Sequence, residues 1–189
     1  MGMNVLHRMA CRSAAWEVLT TRKLVPWALC DLDLGESTVE IGPGYGANLR
    51  ALRLRTGSLT GVELDETMAK RLQALHSDQV TVIHGDAAKM PLGDASYTSV
   101  VTFSMLHHVP SEEQQDAVFA QARRVLRPGG VFAGMDGLHS TAFRLLHTGD
   151  TYLPIAPEAL PSRLFAAGFD DVAVETYGPM FRFHARVAA

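Results

Sequence analysis

The sequence predicts one α/β domain whose sheet is mostly parallel and carries helices on both faces. Short segments rich in β-branched residues alternate with helical patterns from residue 38 onward, and such alternation is typical of parallel sheets. The last two strand-like segments are joined only by "YGP", which is too short for a crossover, so this pair should be antiparallel. The 189 residues, 47% hydrophobic and 20% charged, suit a single domain with a buried core.

Seven strands are expected from these segments. Each of the first five is short, rich in β-branched residues and bounded by Gly, Asp or Pro, which is the usual strand signature. The last two strands form the antiparallel end of the sheet. In chain order the seven are Thr38–Ile41, Ser58–Glu63, Val80–His84, Ser99–Phe103, Gly130–Met135, Val172–Thr176 and Met180–Val187.

Helical patterns fill the intervals between the strands. Asp65 can cap a helix that is expected to place Met68, Leu72 and Leu75 on its inward face. Another helix is expected over Pro157–Ala167, just before the antiparallel strands. Both helices would cover the faces of the sheet.

A further helix is predicted between the fourth and fifth strands. Ser111 can cap it, with Gln114 three residues later as the capping-box partner. The helix should stop at "RPGG", since proline and glycine do not continue a helix. Its inward stripe is expected to comprise Val118, Ala122, Val125 and Leu126.

The N-terminal segment, residues 1–34, also has a helical pattern. Trp16, Leu19 and Trp27 are expected to be its apolar anchors, and Pro26 is expected to break the run. We expect this segment to be part of the same domain and to contribute to the acceptor side of any active site.

Charge and composition exclude several classes of protein. The net charge of -3 provides no general basic field for nucleic acid or an anionic membrane. Cys11 and Cys30 are too few for a disulfide framework and have no zinc-binding spacing. No stretch is long and apolar enough to span a membrane, and the N-terminus lacks a signal-peptide core. A cytoplasmic protein, either a monomer or a homodimer, is expected.

The stretch "VEIGPGYGANL" predicts a ligand cradle, because a strand runs into a glycine turn that opens a helix. A phosphate-binding loop would need a Lys after the last glycine, and none follows. Gly42, Gly44 and Gly46 give GxGxG, whereas a dinucleotide fingerprint is GxGxxG, so the spacing argues only weakly against a nicotinamide cofactor. A tight turn without a ligand also remains open.

Two acids after the following strands extend this prediction. Glu63 ends the second strand 21 residues after Gly42, where a carboxylate can accept hydrogen bonds from a ribose diol. Asp86 follows the third strand in "GDAAKMPL", where an acid can accept from an adenine amino group. Glu63 indicates an adenosine ribose without selecting a reaction, since nicotinamide enzymes share such an acid, whereas Asp86 is the feature that discriminates between the cofactors.

The motifs "VEIGPGYG", "GVELD", "GDAAKMPL", "VVTFSMLHHVP" and "ARRVLRPGGVF" resemble those of the class I S-adenosylmethionine-dependent methyltransferases. They occur in that family's order and spacing. The resemblance implies a Rossmann-like fold with a seven-stranded sheet and an antiparallel last strand. It also implies transfer of a methyl group from S-adenosyl-L-methionine to an acceptor.

The resemblance assigns cofactor contacts to matching positions of this chain. The glycine turn and its preceding acid would surround the methionine part, and the acid after the second strand would hold the ribose. Residues after the second and third strands would hold the adenine, and a serine after the fourth would lie beside the methionyl amino end. The residues concerned are Glu40, Gly42, Gly44, Gly46, Glu63, Leu64, Asp86, Ala87 and Ser104. Tyr45 departs from the small residue that is common there.

Histidines and acids at the carboxyl ends of strands four and five are candidates for acceptor chemistry, because sites in open α/β sheets lie at that edge. The catalytic candidates are His107, His139, His147 and Asp150. In "HTGDTYLPI", His147 could be a base oriented by Asp150, or it could be a solvated residue near a capping Asp150. Alternatively, His139, His147, Asp136 and Asp150 could bind Mg²⁺ or a similar cation. His7, His76 and His184 are interpreted as surface or packing residues.

The acceptor is expected to be a small molecule, methylated at a hydroxyl oxygen. "HTGDTYLPI" has a faint likeness to bacterial sugar O-methyltransferases. Methylation of nitrogen or carbon, and a catalytically silent protein that only holds the cofactor, are the alternatives. A nicotinamide oxidoreductase is the third hypothesis.

Overall fold

The computed structural model describes residues 4–189, except for the side chains of Val5 and Leu6. One seven-stranded sheet runs through the molecule in the order β3-β2-β1-β4-β5-β7-β6. Strands β1 to β5 are parallel to one another, and β7 is antiparallel to both β5 and β6. The strands are β1 Ser37–Ile41, β2 Ser58–Glu63, β3 Thr81–His84, β4 Tyr97–Phe103, β5 Leu126–Gly137, β6 Asp170–Tyr177 and β7 Met180–Arg186. The predicted α/β architecture and its antiparallel end are confirmed.

Strand β5 begins earlier than the sequence suggests, so that "RPGG" lies within it. Leu126 pairs with Tyr97, and the next pair joins Val131 to Ser99, which leaves the intervening residues in a bulge. Pro128 is tolerated there because a bulged residue does not have to donate to the ladder. The preceding helix therefore ends at Val125, just before this motif.

Eight α-helices are present in the described residues. They are α1 Val5–Cys11, α2 Ala14–Leu19, α3 Val25–Leu29, α4 Leu49–Leu52, α5 Glu66–His76, α6 Glu112–Val125, α7 Thr141–Leu146 and α8 Leu160–Ala166. A π-helical turn, Thr20–Leu24, joins α2 to α3. Short 3-10 turns follow β3 at Ala87–Lys89 and β4 at Leu106–His108. No helix among residues 4–189 has the length and apolarity needed to cross a membrane.

Helix α5 is capped as predicted, but its buried face differs from the expected one. The Asp65 side chain accepts a hydrogen bond from the Met68 amide. The helix buries Ala69 and Leu72 against the sheet, whereas Leu75 is 62% exposed. The expectation for Leu75 was wrong. Helix α5 packs on β2 and β3 with the face that carries Ala69 and Leu72, and the spacing of apolar residues along the helix does not determine which face is buried.

The cap and the buried face of helix α6 are close to those predicted. The Ser111 hydroxyl accepts from the Gln114 amide, and Val118, Ala122 and Val125 are buried. Leu126 is buried as expected, but it belongs to strand β5. With α8, this helix covers one face of the sheet in an apolar cluster around Phe119 and Phe132.

The N-terminal helices cover the opposite face. Val25, Ala28 and Leu29 are their buried anchors, in a cluster that also contains Leu72 and Val101. Two expectations were wrong here. Leu19 is 42% exposed, and Pro26 does not break the run, because helical backbone continues from the π-helical turn through Leu24 and Val25 into α3. Trp16 and Trp27 are half-buried.

Candidate cofactor and acceptor site

The glycine turn after β1 has a backbone that only glycine adopts easily. Gly42, Gly44 and Gly46 have φ of 64°, 56° and 84°. A Cβ at Gly42 would lie 2.4 Å from Met105 Cγ, and one at Gly46 would lie 2.8 Å from Leu72 Cδ2. Packing therefore requires these two glycines. Gly44 differs, because a Cβ there would meet nothing closer than a backbone oxygen at 4.0 Å, so the turn is open toward a ligand at this point.

Glu40 is a fully buried acid beside this turn with one oxygen that lacks a partner. Its Oε1 accepts from Asn48 Nδ2 at 2.8 Å. Its Oε2 is one of two buried side-chain atoms without a hydrogen-bond partner among the described residues. Burial raises the pKa of Glu40 to about 7, the Asn48 hydrogen bond opposes that rise, and the nearby Glu63 adds to it. A positively charged ligand group would satisfy both the oxygen and the buried charge.

Glu63 holds the glycine turn to the end of β2. Its Oε2 accepts from the Gly44 amide at 2.9 Å, and its Oε1 accepts from the Asp65 amide at 3.0 Å. A carboxylate has about four acceptor positions, so two remain for further donors such as a ribose diol. Glu63, which the sequence analysis predicts as the ribose ligand, therefore lies directly against the glycine turn.

The remaining predicted cofactor contacts lie at the same carboxyl edge of the sheet. Asp86 is exposed after β3, and its Oδ1 accepts from the Ala88 amide at 2.8 Å, which caps the 3-10 turn that begins at Ala87. Leu64 is 63% exposed, which leaves a face of its side chain available for a ring. Ser104 follows β4 with φ of 51°, a strained conformation for a serine.

Tyr45 projects from the turn between two arginines. The Arg12 guanidinium carbon lies 5.6 Å from the centre of the Tyr45 ring, and that of Arg71 lies 6.0 Å away. Both distances are in the range of cation–π contacts, so the ring lies between the N-terminal helices and α5. No sequence pattern indicates this contact, since the three residues are distant from one another along the chain.

Four histidines meet near the ends of β4 and β5, from three separate parts of the chain. The Nδ1 atom of each ring has an oxygen partner. The distances are 2.9 Å from His7 to Asp150 Oδ2, 2.5 Å from His107 to Asp136 Oδ1, 3.2 Å from His108 to the Thr151 carbonyl and 2.7 Å from His147 to the Phe143 carbonyl. We call these four residues the histidine cluster.

His107 is the most deeply placed member of the histidine cluster. Asp136 accepts from its Nδ1 and also from its backbone amide, at 3.2 Å. Its Nε2 lies 3.0 Å from Nε2 of His147, so one proton must lie between the two rings. Because the Phe143 carbonyl can only accept, His147 carries its own proton on Nδ1. Asp136, His107 and His147 thus form a continuous buried chain of hydrogen bonds.

The structure corrects several predicted roles on the acceptor side. Asp150 does not orient His147; it accepts from His7 Nδ1 and from the Asn4 amide. His147 is buried rather than solvated. His139 is exposed, and its Nδ1 lies 3.3 Å from the Tyr152 hydroxyl. His7 is a buried residue and not a surface one, and its contact with Asp150 was not predicted, because the loop that brings Asp150 to it is more than a hundred residues away in sequence.

The predicted Mg²⁺ ligands do not share one site. Asp136 pairs with His107, Asp150 pairs with His7, and His139 pairs with Tyr152. Among residues 4–189, the group with metal-binding geometry is His7, His108 and His147. Of the four predicted ligands, that group contains only His147.

S-adenosylmethionine fits the residues around the glycine turn. The unpartnered Glu40 Oε2 suits a cationic group, the open space at Gly44 admits a close ligand, and the exposed Leu64 offers an apolar surface. Glu63 retains acceptor capacity beside that space. The cradle thus suits a cation joined to a nucleoside.

Comparison with known proteins gives the family. The family model described as "Methyltransferase domain" matches residues 39–134. A 27-O-demethylrifamycin SV methyltransferase of Amycolatopsis mediterranei is 30% identical over 181 residues, which cover 86% of this chain and 65% of the relative. A probable S-adenosylmethionine-dependent methyltransferase of Mycolicibacterium smegmatis is 35% identical over 116 residues, which cover 61% of this chain and 41% of the relative.

A solved structure agrees with the fold. A chain from the complex between the Haloferax volcanii Trm112 methyltransferase activator and its methyltransferase superposes with a TM-score of 0.77 at 15% identity, covering 100% of both chains. The matched regions amount to between 41% and 65% of the length of the two curated relatives. The family match spans more than half of the sequence, from the glycine turn through β5, and the chain therefore belongs to the class I S-adenosylmethionine-dependent methyltransferase family.

Proposed function

We propose that this domain binds S-adenosylmethionine and transfers its methyl group to a hydroxyl oxygen of a small molecule. The unpartnered, buried Glu40 Oε2 beside an open glycine turn is the observation that carries the cofactor assignment. Bound S-adenosylmethionine would supply an activated methyl group on a sulfonium. The protein's main task is then to align the acceptor with that methyl group.

The cofactor would be held by residues from three strand ends. Glu40 would face the positively charged part of the cofactor, and the Gly42–Gly46 turn would lie around its methionine part. Glu63 would accept from the ribose hydroxyls while it keeps its two bonds to the turn. Asp86, Ala87 and Leu64 would hold the adenine, and Ser104 would lie near the methionyl end.

The acceptor hydroxyl must lose a proton as its oxygen bonds to the methyl carbon. The chain of Asp136, His107 and His147 supports this role, because Asp136 fixes the Nδ1 proton of His107 and leaves Nε2 as the reactive atom. Because the two Nε2 atoms share one proton, the acceptor hydroxyl would have to displace His147 from His107 Nε2 before it could pass its own proton there. Asp136 would then stabilise the imidazolium that forms.

The names of two relatives and the net charge of the chain support a small-molecule acceptor. The rifamycin relative is named for methylation of an oxygen on a small molecule, at 30% identity. Another relative, from Gibberella zeae, is named as a sterol 24-C-methyltransferase, so carbon methylation is the second candidate. A net charge of -3 gives nucleic acid no general basic surface.

The test combines cofactor binding with methyl transfer. Calorimetry should detect saturable binding of S-adenosylhomocysteine and none of NAD(H). A labelled-methyl screen should then find turnover on sugar, phenol or polyketide hydroxyls. Binding of NAD(H) in place of S-adenosylhomocysteine would overturn the proposal, and cofactor binding without turnover on any acceptor would favour a silent scaffold.

Replacing the proposed base should separate chemistry from binding. His107→Gln is expected to lower turnover by about 100- to 10,000-fold, the usual contribution of a general base, and to leave affinity for S-adenosylhomocysteine unchanged. Because this change leaves the buried Asp136 charge unpaired, the double variant His107→Gln/Asp136→Asn guards against a folding defect. His184→Ala, on β7, is the matched control. Full turnover in both His107 variants would remove this chain of residues from the mechanism.

A further inference from the structure

Three members of the histidine cluster bring ring nitrogens together in a way that methyl transfer does not require. His7 comes from α1, His108 from the turn after β4, and His147 from the end of α7. One ligand atom from each lies within 4.8 Å of those from the other two. His7 and His147 are buried and His108 is half-buried, so water does not readily separate the rings.

The hydrogen bonds to Nδ1 determine which nitrogen of each ring carries a lone pair. The carbonyls of Thr151 and Phe143 can only accept, so His108 and His147 must place a proton on Nδ1. The Asp150 carboxylate imposes the same tautomer on His7. In the neutral ring the lone pair is therefore on Nε2, which is the atom that a metal ion would take from each of the three histidines. The His147 Nε2 also contacts His107 Nε2 at 3.0 Å.

We propose that His7, His108 and His147 bind one divalent transition-metal ion of the zinc class through their Nε2 atoms. Zinc takes neutral imidazole nitrogens at about 2.0–2.1 Å, and three protein ligands leave a fourth position for water or an acceptor oxygen. Magnesium and calcium prefer oxygen ligands, so an all-nitrogen set disfavours them. The proposal names a different ion and different ligands from the Mg²⁺ site expected from the sequence.

The outer contacts of the cluster are those that metal-binding histidines need. A metal-bound histidine usually donates its other N–H to a carboxylate or a backbone carbonyl, which fixes the ring and its tautomer. Here one ring has a carboxylate partner and two have carbonyl partners. The three orienting groups are therefore already in place around the three rings.

The contact between His107 and His147 also favours binding of a cation. The Nε2 of His147 lies 3.0 Å from that of His107, a contact that needs one proton between them. A metal ion on His147 would replace that proton, and the Asp136 and Asp150 carboxylates behind the cluster would offset its charge.

Zinc binding by the untagged protein tests this site independently of methyl transfer. Competition with a chromogenic chelator should give one Zn²⁺ per chain, and Zn²⁺ should raise Tm because it binds only the folded state. A Cys11→Ser/Cys30→Ser background removes the two thiols as competing ligands. Mg²⁺ at the same concentration should not change Tm.

Variants locate the bound ion. His7→Ala and His108→Ala should each abolish the rise in Tm, and Asp150→Asn should weaken zinc binding by about 10- to 100-fold, as loss of an outer contact does. His184→Ala is the control and should bind like the parent. Absence of saturable Zn²⁺ binding, or equal binding in the parent and the His7→Ala and His108→Ala variants, would overturn the proposal. Because no step uses S-adenosylmethionine, this result stands apart from the test of the proposed function.

Discussion

Among single residues, Glu40 is a buried acid with one oxygen that lacks a hydrogen-bond partner in the described part of the chain. The side chain is fully buried, and Asn48 satisfies one of its two oxygens. Burying the charged carboxylate costs free energy, and burial therefore raises the pKa of Glu40 to about 7. The sequence indicated an acid next to the glycine turn, but the unpartnered oxygen depends on the packing around β1.

The raised pKa of Glu40 predicts a pH-dependent stability. The folded protein holds this proton more tightly than the unfolded chain, whose value is near 4.5, so its stabilising effect is full below that pH and is lost as pH rises through about 7. At about 1.4 kcal/mol per pKa unit, the loss is roughly 3 kcal/mol. Glu40→Gln does not titrate and can keep the Asn48 hydrogen bond. Urea unfolding should show the free energy of the parent falling by this amount relative to the variant between about pH 4.5 and 7. A constant difference across that range would contradict the assignment.

At the scale of elements, the turn between β1 and α4 combines two kinds of glycine. Gly42 and Gly46 are required by close packing against Met105 and Leu72. Gly44 has a left-handed backbone with open space where its Cβ would be. The spacing of glycines along the sequence predicted the turn, but only the packed structure separates the glycines needed for folding from the one that leaves room for a ligand.

Gly44→Ala is therefore expected to affect binding more than folding. Gly178, in the turn between β6 and β7, is a matched control because its φ is also 56° and its Cβ would also meet nothing within 4 Å. Both alanine variants should lose about 1–2 kcal/mol of stability from the left-handed backbone. Gly44→Ala alone should reduce S-adenosylhomocysteine affinity, as measured by calorimetry. Equal affinity in the two variants would show that the ligand does not approach Gly44.

At the scale of the whole molecule, the N-terminal segment is joined to the loop after α7. Asn4 donates through its backbone amide to Asp150 and through its side chain to the Leu146 carbonyl at 2.7 Å. Asp150 also accepts from His7, and both groups in that pair are nearly inaccessible to solvent. These contacts bring the start of the chain to the carboxyl edge of the sheet, where the acceptor side was expected.

Loss of Asp150 should release this N-terminal contact. Asp150→Ala removes the acceptor for the Asn4 amide and for His7, so helix α1 should exchange its amide hydrogens faster while α6 stays unchanged. Hydrogen-exchange mass spectrometry would measure both helices. Asp171→Ala is the control, since Asp171 is 72% exposed and lies 3.9 Å from its arginine partner. Unchanged exchange in α1 would show that other packing holds the segment.

The fold class and the glycine turn of this protein can be predicted from its sequence alone. Strand periodicity, the caps at Asp65 and Ser111 and the glycine turn are properties of a few neighbouring residues, so they are readable without the rest of the chain. Which face of α5 is buried, what Tyr45 contacts and which histidines meet depend instead on tertiary packing. The partners of His7 and Asp150 depend on how distant loops pack over one edge of the sheet, and no local pattern encodes a contact across more than a hundred residues.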